Sequence, residues 1–178
     1  MKRSSLNLFV LITVLAFSFS MVSAKGIIKD YQKNFKEAQK KLLSLAEAIP
    51  EKDYSWRPSK GVRSVSETFV HVAAGNYFIM RYLGFKSSEK LSPNMEKNIT
   101  KKADVIALLK KSFVYANNNI SKISEKQLGD KVDFFGKQKA TKRAILLHMI
   151  THNHEHLGQM IAYARSIGVV PPWSQKKK

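Results

Sequence analysis

The sequence predicts an all-α protein whose core is a four-helix bundle, and three observations carry that prediction. Apolar residues recur in alternating steps of three and four through separate long segments, helix start and stop residues bracket those segments, and only one short stretch shows strand-like patterning. With 178 residues, 44% hydrophobic and 25% charged, the chain is long enough to bury one real core, and neither wholesale disorder nor a polytopic membrane protein fits. Zero cysteines exclude disulfides, iron-sulfur clusters, thiolate zinc sites and a cysteine nucleophile. Any metal must be held by His, Asp, Glu or water.

The first residues read as an address. Lys2 and Arg3 form a charged start, Leu6 to Phe19 is a mostly apolar run, and Val22, Ser23 and Ala24 offer small residues to a signal peptidase. Cleavage is expected after Ala24, giving a signal peptide over 1–24 and a single domain over 25–178. The apolar run falls short of the ~20 residues of a spanning helix, and no cysteine follows it to carry a lipid. Lys2 and Arg3 leave with the signal, so the formal charge of +18 becomes +16 on a mature chain of 154 residues. The protein is expected to work outside the cytoplasm, periplasmic or secreted.

The first helix carries its apolar stripe at Ile28, Tyr31, Phe35, Ala38, Leu42, Leu45 and Ile49, and Pro50 ends it. After a loop with Tyr54, Trp56, Arg57, Pro58 and Gly61, Ser64 and Glu67 make a capping-box signature for a second helix with the stripe Val65, Phe69, Val72, Asn76, Ile79, Leu83. Lys86 to Asn98 reads as a polar connection. A third helix shows Ile106, Leu109, Phe113, Ala116, Ile120 and Ile123 in steps of three and four. Between Gln127 and Lys139, Gly129, Gly136 and the run Val132 to Phe135 indicate a short hairpin or irregular crossover. The last helix begins near Thr141 and ends at Gly168, with Pro171 and Pro172 beyond it.

That last helix carries the chemistry. Its core stripe is expected to be Ile145, Met149, His152, His156, Met160, Tyr163 and Ile167, so two imidazoles occupy consecutive slots where a bundle normally places Leu or Ile. At about 100° per residue, His148, His152, Glu155, His156 and Gln159 share one face while His154 points nearly the opposite way. Residues four apart bring their Cβ atoms to roughly 5–6 Å, so His152 and His156 can converge on one cation. Buried ring nitrogens cost free energy unless paired, and two adjacent imidazoles resist double protonation. A divalent metal meets both conditions; ordinary hydrogen bonds to a carbonyl or carboxylate are the plainer alternative.

A third ligand must come from another helix. His71 is the only histidine outside the last one, in the middle of the second helix, although a lone histidine there also fits a satisfied core position. Three imidazoles leave a zinc-like ion one position for water or substrate. Glu67, one turn before His71, either orients a ligand, acts on bound water or serves only as the cap, and the cap is the expected role. Glu155 and Gln159 are the candidates for positioning substrate or shuttling a proton.

Trp56-Arg57-Pro58, Gly61, Ser64, Glu67 and His71, followed by His152, His156-Leu157-Gly158-Gln159, Tyr163, Arg165, Gly168 and Pro171-Pro172, resemble the DinB/YfiT-like family of metal-binding four-helix bundles, which is distinct from the DNA polymerase of the same name. The resemblance spans nearly all of the mature chain. It implies an up-down-down-up bundle and a divalent metal, zinc or nickel first and manganese or iron second, on His71, His152 and His156. It also implies a metal-dependent enzyme of hydrolase or thiol-S-transferase type, with a non-catalytic metal or small-ligand binding module as the alternative. Two positions depart from the common form: Glu155 stands where relatives often carry His, and Asn153 where Glu is frequent. Export is a third departure, because a cytosolic thiol cofactor would be scarce outside the membrane.

The expected partner is a small-molecule substrate or ligand. Lys29, Lys33, Lys36 and Lys40 repeat at helical spacing, and Lys101, Lys102, Lys110 and Lys111 decorate the third helix. Such runs are ordinarily solvated faces, yet the surplus positive charge favours peripheral attraction to anionic surfaces. No nucleic-acid-reading motif is visible, so nucleic acid is not an expected partner; a homodimer is compatible with the pattern. Trp56 and Trp173 either line a pocket mouth or cap the ends of the bundle, and the cap is the expected role.

Overall fold

The computed structural model describes residues 26–87, 89–136 and 138–175. The signal peptide expected over 1–24, with its cleavage after Ala24, lies outside the described residues. Four long helices run Ile27–Ala48 (α1), Val65–Tyr82 (α2), Lys102–Ile120 (α3) and Lys142–Ser166 (α4), and a two-stranded antiparallel hairpin, Lys131–Phe134 (β1) with Gln138–Thr141 (β2), precedes α4. Among the described residues no helix is long and apolar enough to cross a membrane.

Identifiable partners and residues mark several of the helix ends. The Glu125 carboxylate accepts from the amides of Gly26 and Ile28, both at 3.1 Å, and so satisfies donors that the first turn of α1 leaves free. The capping box of α2 is complete: the Ser64 hydroxyl accepts from the Glu67 amide at 3.3 Å, and the Glu67 carboxylate accepts from the Ser64 amide at 2.8 Å. Thr141 caps α4 by accepting from the Ala144 amide. Beyond its other end Gly168 takes φ 79, a left-handed conformation that favours glycine.

Side-chain contacts fix how the helices run. The Lys102 ammonium, at the start of α3, donates to the carbonyls of Glu47 and Ile49 at the end of α1, and Asn117 meets Gln39 at 2.8 Å, so these two helices are antiparallel. Asn76 reaches Ser112 at 3.1 Å and Tyr115 reaches the Phe85 carbonyl at 3.1 Å, so α2 and α3 run the same way. Tyr163 meets the Arg63 carbonyl and Asn153 meets Asn76, so α4 returns against α2. The result is the up-down-down-up order, with α1 and α2 each packed on both α3 and α4.

The core is the sum of the inward stripes. Phe35, Phe69 and Phe113 are fully buried, and Phe35 meets Phe113 edge-on at 5.5 Å. Leu42, Leu45, Leu109, Ile145 and Met149 fill the space around them. Each large apolar side chain removed from water contributes roughly 1.5–3 kcal/mol.

Three details differ from the sequence expectation. Asn153 is fully buried on α4 while His152 is only half-buried: the two lie about 100° apart on the helix, and Asn153 is the one that turns inward, against Asn76. On α3, Val105 and Leu108 are buried and Ile106 is half-buried. The connection over 86–98 contains a single helical turn, Met95–Asn98, anchored by buried Met95.

Candidate metal centre

His71 on α2 and His152 and His156 on α4 come together, with one potential ligand atom from each lying within 4.8 Å of the others. Ring centroids stand 5.2 Å apart for His71 and His152, 4.8 Å for His71 and His156, and 4.6 Å for His152 and His156. His154 is exposed on the far side, where its Nδ1 meets the Ile150 carbonyl, as the helical wheel requires. His148 lies beside His152 at 6.4 Å between rings and packs on Phe134 and Phe135.

Hydrogen bonds set the tautomers of two of the three rings. His71 Nδ1 lies 2.8 Å from a Glu96 carboxylate oxygen. A carboxylate only accepts here, so Nδ1 carries the proton and Nε2 keeps its lone pair. His156 Nδ1 lies 2.8 Å from Gln159 Oε1. The polarity of that contact is dictated from further out: the Arg63 carbonyl accepts from the Tyr163 hydroxyl at 3.1 Å, and the Tyr163 oxygen accepts from the Gln159 amide nitrogen at 2.9 Å. Gln159 must therefore present its oxygen to His156, so Nδ1 is the donor and, in the neutral ring, Nε2 carries the lone pair.

Arg63 closes the arrangement from the other direction. Its guanidinium binds the second Glu96 oxygen at 2.7 Å, so one residue steadies His71 through its side chain and His156 through its carbonyl. His152 has no such partner. Its Nε2 lies 3.3 Å from His71 Nε2, and its buried Nδ1 makes no hydrogen bond. Its position is set by shape, because it lies against Gly75, where a Cβ would come within 2.5 Å of the ring's Cε1.

The electrostatics disfavour protonation of His152 and His71. Burial, reinforced by His156, His71, His148 and Arg63, pulls the His152 pKa down to about 3. Burial also lowers that of His71, outweighing the opposite pull of the Glu96 hydrogen bond. For Glu96, burial alone would raise the pKa, but hydrogen bonds and charge from Arg63 and His71 together hold it below the ordinary carboxylate value. Glu96 is thus an anion at neutral pH, able to raise the basicity of His71 as a ligand.

This donor set suits a divalent cation. Two nitrogens bound at about 2.0–2.1 Å with tetrahedral geometry stand about 3.3 Å apart, and His71 and His152 present their Nε2 atoms at 3.3 Å. Without a cation, only His152 Nε2 can carry the proton between those atoms, and the buried Nδ1 is then an acceptor with nothing to accept. The three-histidine group can therefore hold a metal ion.

The other predicted residues take different places. Glu67 serves its helix cap and also binds Arg57 and Lys97, with no hydrogen bond to the histidines. Gln159 stands behind His156, on the nitrogen away from the cluster, and Glu155 is exposed. Trp56 is half-buried edge-on to Tyr163 at 5.2 Å, and the Lys41 ammonium lies over the Trp173 ring at 5.7 Å. Glu96 and Arg63 were not singled out in the sequence. The available signal was Met95, which with Leu91 is one of two large apolar residues in a polar connection; Met95 anchors the turn that carries Glu96.

The comparisons with known proteins agree with this architecture. A solved DinB-like protein from Bacillus cereus ATCC 10987 superposes with a TM-score of 0.69 at 19% identity, covering 84% of this chain and 95% of that one. The DinB-like protein YjoA of Bacillus subtilis superposes with a TM-score of 0.65 at 23% identity, covering 84% of this chain and 99% of that one. In sequence, the uncharacterized protein YjoA of strain 168 is 26% identical over 127 residues, or 70% of this chain and 80% of its own. A conserved protein from Enterococcus faecalis superposes with a TM-score of 0.65 at 16% identity, over 80% of this chain and 97% of that one. The model of the DinB family matches residues 21–177, which takes in all four helices and the three histidines, and the chain belongs to that family.

Proposed function

We propose that the protein is an exported, metal-dependent enzyme of hydrolase or thiol-S-transferase type, with one divalent cation on His71, His152 and His156. Zinc or nickel suits three neutral imidazoles best, with manganese or iron behind them. The single observation that carries the reading is the convergence of three ring nitrogens, two of them held in the ligating tautomer by Glu96 and Gln159. A divalent ion there would supply Lewis-acid activation of a water, thiol or carbonyl group.

The chain's own part is to orient the rings and, by burial, to disfavour protonation of His71 and His152. Glu96 and Gln159 each accept a hydrogen bond from one Nδ1–H, and Gly75 leaves room for His152. Glu155, exposed and next in sequence to His156, is our candidate for positioning substrate at the site. One observation favours the second reading, a metal or small-ligand binding module without turnover: Glu67 and Glu96 are both engaged by cations, which leaves neither as a free general base.

Cobalt(II) substitution tests the distinction. The catalytic reading expects a visible spectrum that changes when azide is added, because an exchangeable position remains. A cobalt spectrum indifferent to azide and thiols contradicts the catalytic reading and supports the binding module.

A further inference from the structure

We infer that removal of the signal peptide after Ala24 completes an ion pair in the fold. The α-ammonium that cleavage creates on Lys25 is the partner of the Glu125 carboxylate, and it locks the start of α1 to the turn that leads from α3 to the hairpin. The inference rests on the export part of the proposed function and is independent of the metal.

Glu125 opens the 3-10 turn Glu125–Gly129, which is held at its start by the Ser124 amide donating to Gln127 Oε1 at 2.9 Å. Its side chain reaches across to the first turn of α1, where a single oxygen, Oε1, accepts from both the Gly26 and the Ile28 amides at 3.1 Å. The other oxygen, Oε2, is buried and makes no hydrogen bond. Among the described residues no lysine, arginine or histidine pairs with this carboxylate. A buried acceptor without a donor costs free energy, so a carboxylate with two donors on one oxygen and none on the other is a site still lacking its cation.

Covalent geometry says which cation. Consecutive backbone nitrogens stand roughly 3–4 Å apart. With the Gly26 nitrogen 3.1 Å from Oε1, the Lys25 nitrogen is therefore held within about 7 Å of that oxygen whatever the conformation of Lys25. Gly26 takes φ 112, in the left-handed region that favours glycine, and this fixes the peptide plane ahead of it. One torsion, the ψ of Lys25, then decides whether its nitrogen reaches Oε2.

Processing changes what that nitrogen is. In the uncut chain it is a neutral amide with one N–H. Hydrolysis of the Ala24–Lys25 peptide bond adds one water, leaving a carboxylate on Ala24 and on Lys25 an amine whose ordinary pKa of about 8 keeps it mostly protonated at pH 7. The ammonium brings three donors and a full charge, and charge-assisted hydrogen bonds are roughly twice as strong as neutral ones. The fold is thus tightened at the moment of cleavage, through a turn that itself packs on α4.

The test compares two recombinant forms of matched metal content, one beginning at Lys25 and one retaining Val22, Ser23 and Ala24. Both carry the same charge and differ in where the α-ammonium sits. The form beginning at Lys25 is expected to melt at least about 2 °C higher. In Glu125→Gln that difference should vanish, because glutamine keeps Oε1 for the two amides and turns a donor toward the ammonium. In Lys25→Ala the difference should persist, because the group at issue belongs to the backbone. Equal melting temperatures for the two unsubstituted forms overturn the pairing, as does a difference that survives in Glu125→Gln. A difference lost in Lys25→Ala also overturns it, by giving Glu125 to the lysine side chain. N-terminal sequencing of the exported protein is the separate check on cleavage: a start at Lys25 supports the inference, and a start elsewhere overturns the role of processing whatever the melting curves show.

Discussion

Gly75 lies where His152 needs room, and a methyl group there would meet the ring at 2.5 Å. Alanine favours a helix over glycine by about 1 kcal/mol, so Gly75→Ala should leave the melting temperature unchanged or raised. Metal affinity should nevertheless fall at least about tenfold, because the ring must swing away from His71. A competition titration against a zinc chelator, run beside a melting curve, checks both halves. Arg63→Ala should weaken binding by roughly 10–100-fold, the usual scale for a lost orienting partner. Arg63→Lys should recover part of it by keeping a cation on Glu96, and His154→Ala should bind like the wild type. At this scale the sequence was legible where spacing decides. His152 and His156 are four apart on one helix, and His154 is excluded by the same geometry. Glu96 and Arg63 lie in connections 33 residues apart, and nothing periodic announces that pairing.

The second helix is fixed at its start by a carboxylate with three obligations. Glu67 accepts from the Ser64 amide and binds Lys97 at 2.6 Å and Arg57 at 3.1 Å. Burial would raise its pKa, but these partners outweigh burial and hold it at about 2, against 4.5 for the free side chain. A depressed carboxylate stabilises the fold fully above its unfolded value and loses that contribution as the pH falls through its folded value. Lys97 is largely solvent-exposed and Arg57 partly so, which screens the ion pairs. The wild type should therefore exceed Glu67→Gln by about 2 kcal/mol at pH 7. The gap should shrink from pH 4.5 downward and close near pH 2, as urea unfolding at stepped pH would show. Helix boundaries were legible because Ser64, Glu67, Thr141, Pro50 and Gly168 act locally. The turn at Met95–Asn98 was not, since it is held by burial of Met95 against α2 and by ion pairs from Glu96 and Lys97 to that helix and its entry loop.

Across the whole molecule, the stripes on four helices specify a bundle, yet they do not specify which helices are neighbours. Buried polar contacts help to set that. Asn153 donates to Asn76 at 3.0 Å and Asn76 donates to Ser112 at 3.1 Å, so a fully buried chain of polar groups ties α4 to α2 and α2 to α3 in one register. Asn76 was legible as a core position, whereas Asn153 was not, because a polar residue beside a histidine ligand reads as surface. The charge is the other property of the whole chain. Lys29, Lys33, Lys36 and Lys40 form an exposed stripe on α1, and we propose that it draws the protein to anionic surfaces. Sedimentation with phosphatidylglycerol vesicles should show binding at low salt that is lost at several hundred millimolar, where the Debye length falls to a few ångströms. Binding that persists in high salt would contradict an electrostatic origin.

The account depends most on one ion shared between two helices, and elemental analysis of the purified protein and its histidine variants measures that directly. The wild type and His154→Ala should each carry close to one equivalent of divalent metal, while His71→Ala, His152→Ala and His156→Ala should each carry almost none. Stoichiometric metal in His71→Ala together with its loss in His148→Ala would contradict the account, because the ion would then sit on α4 alone.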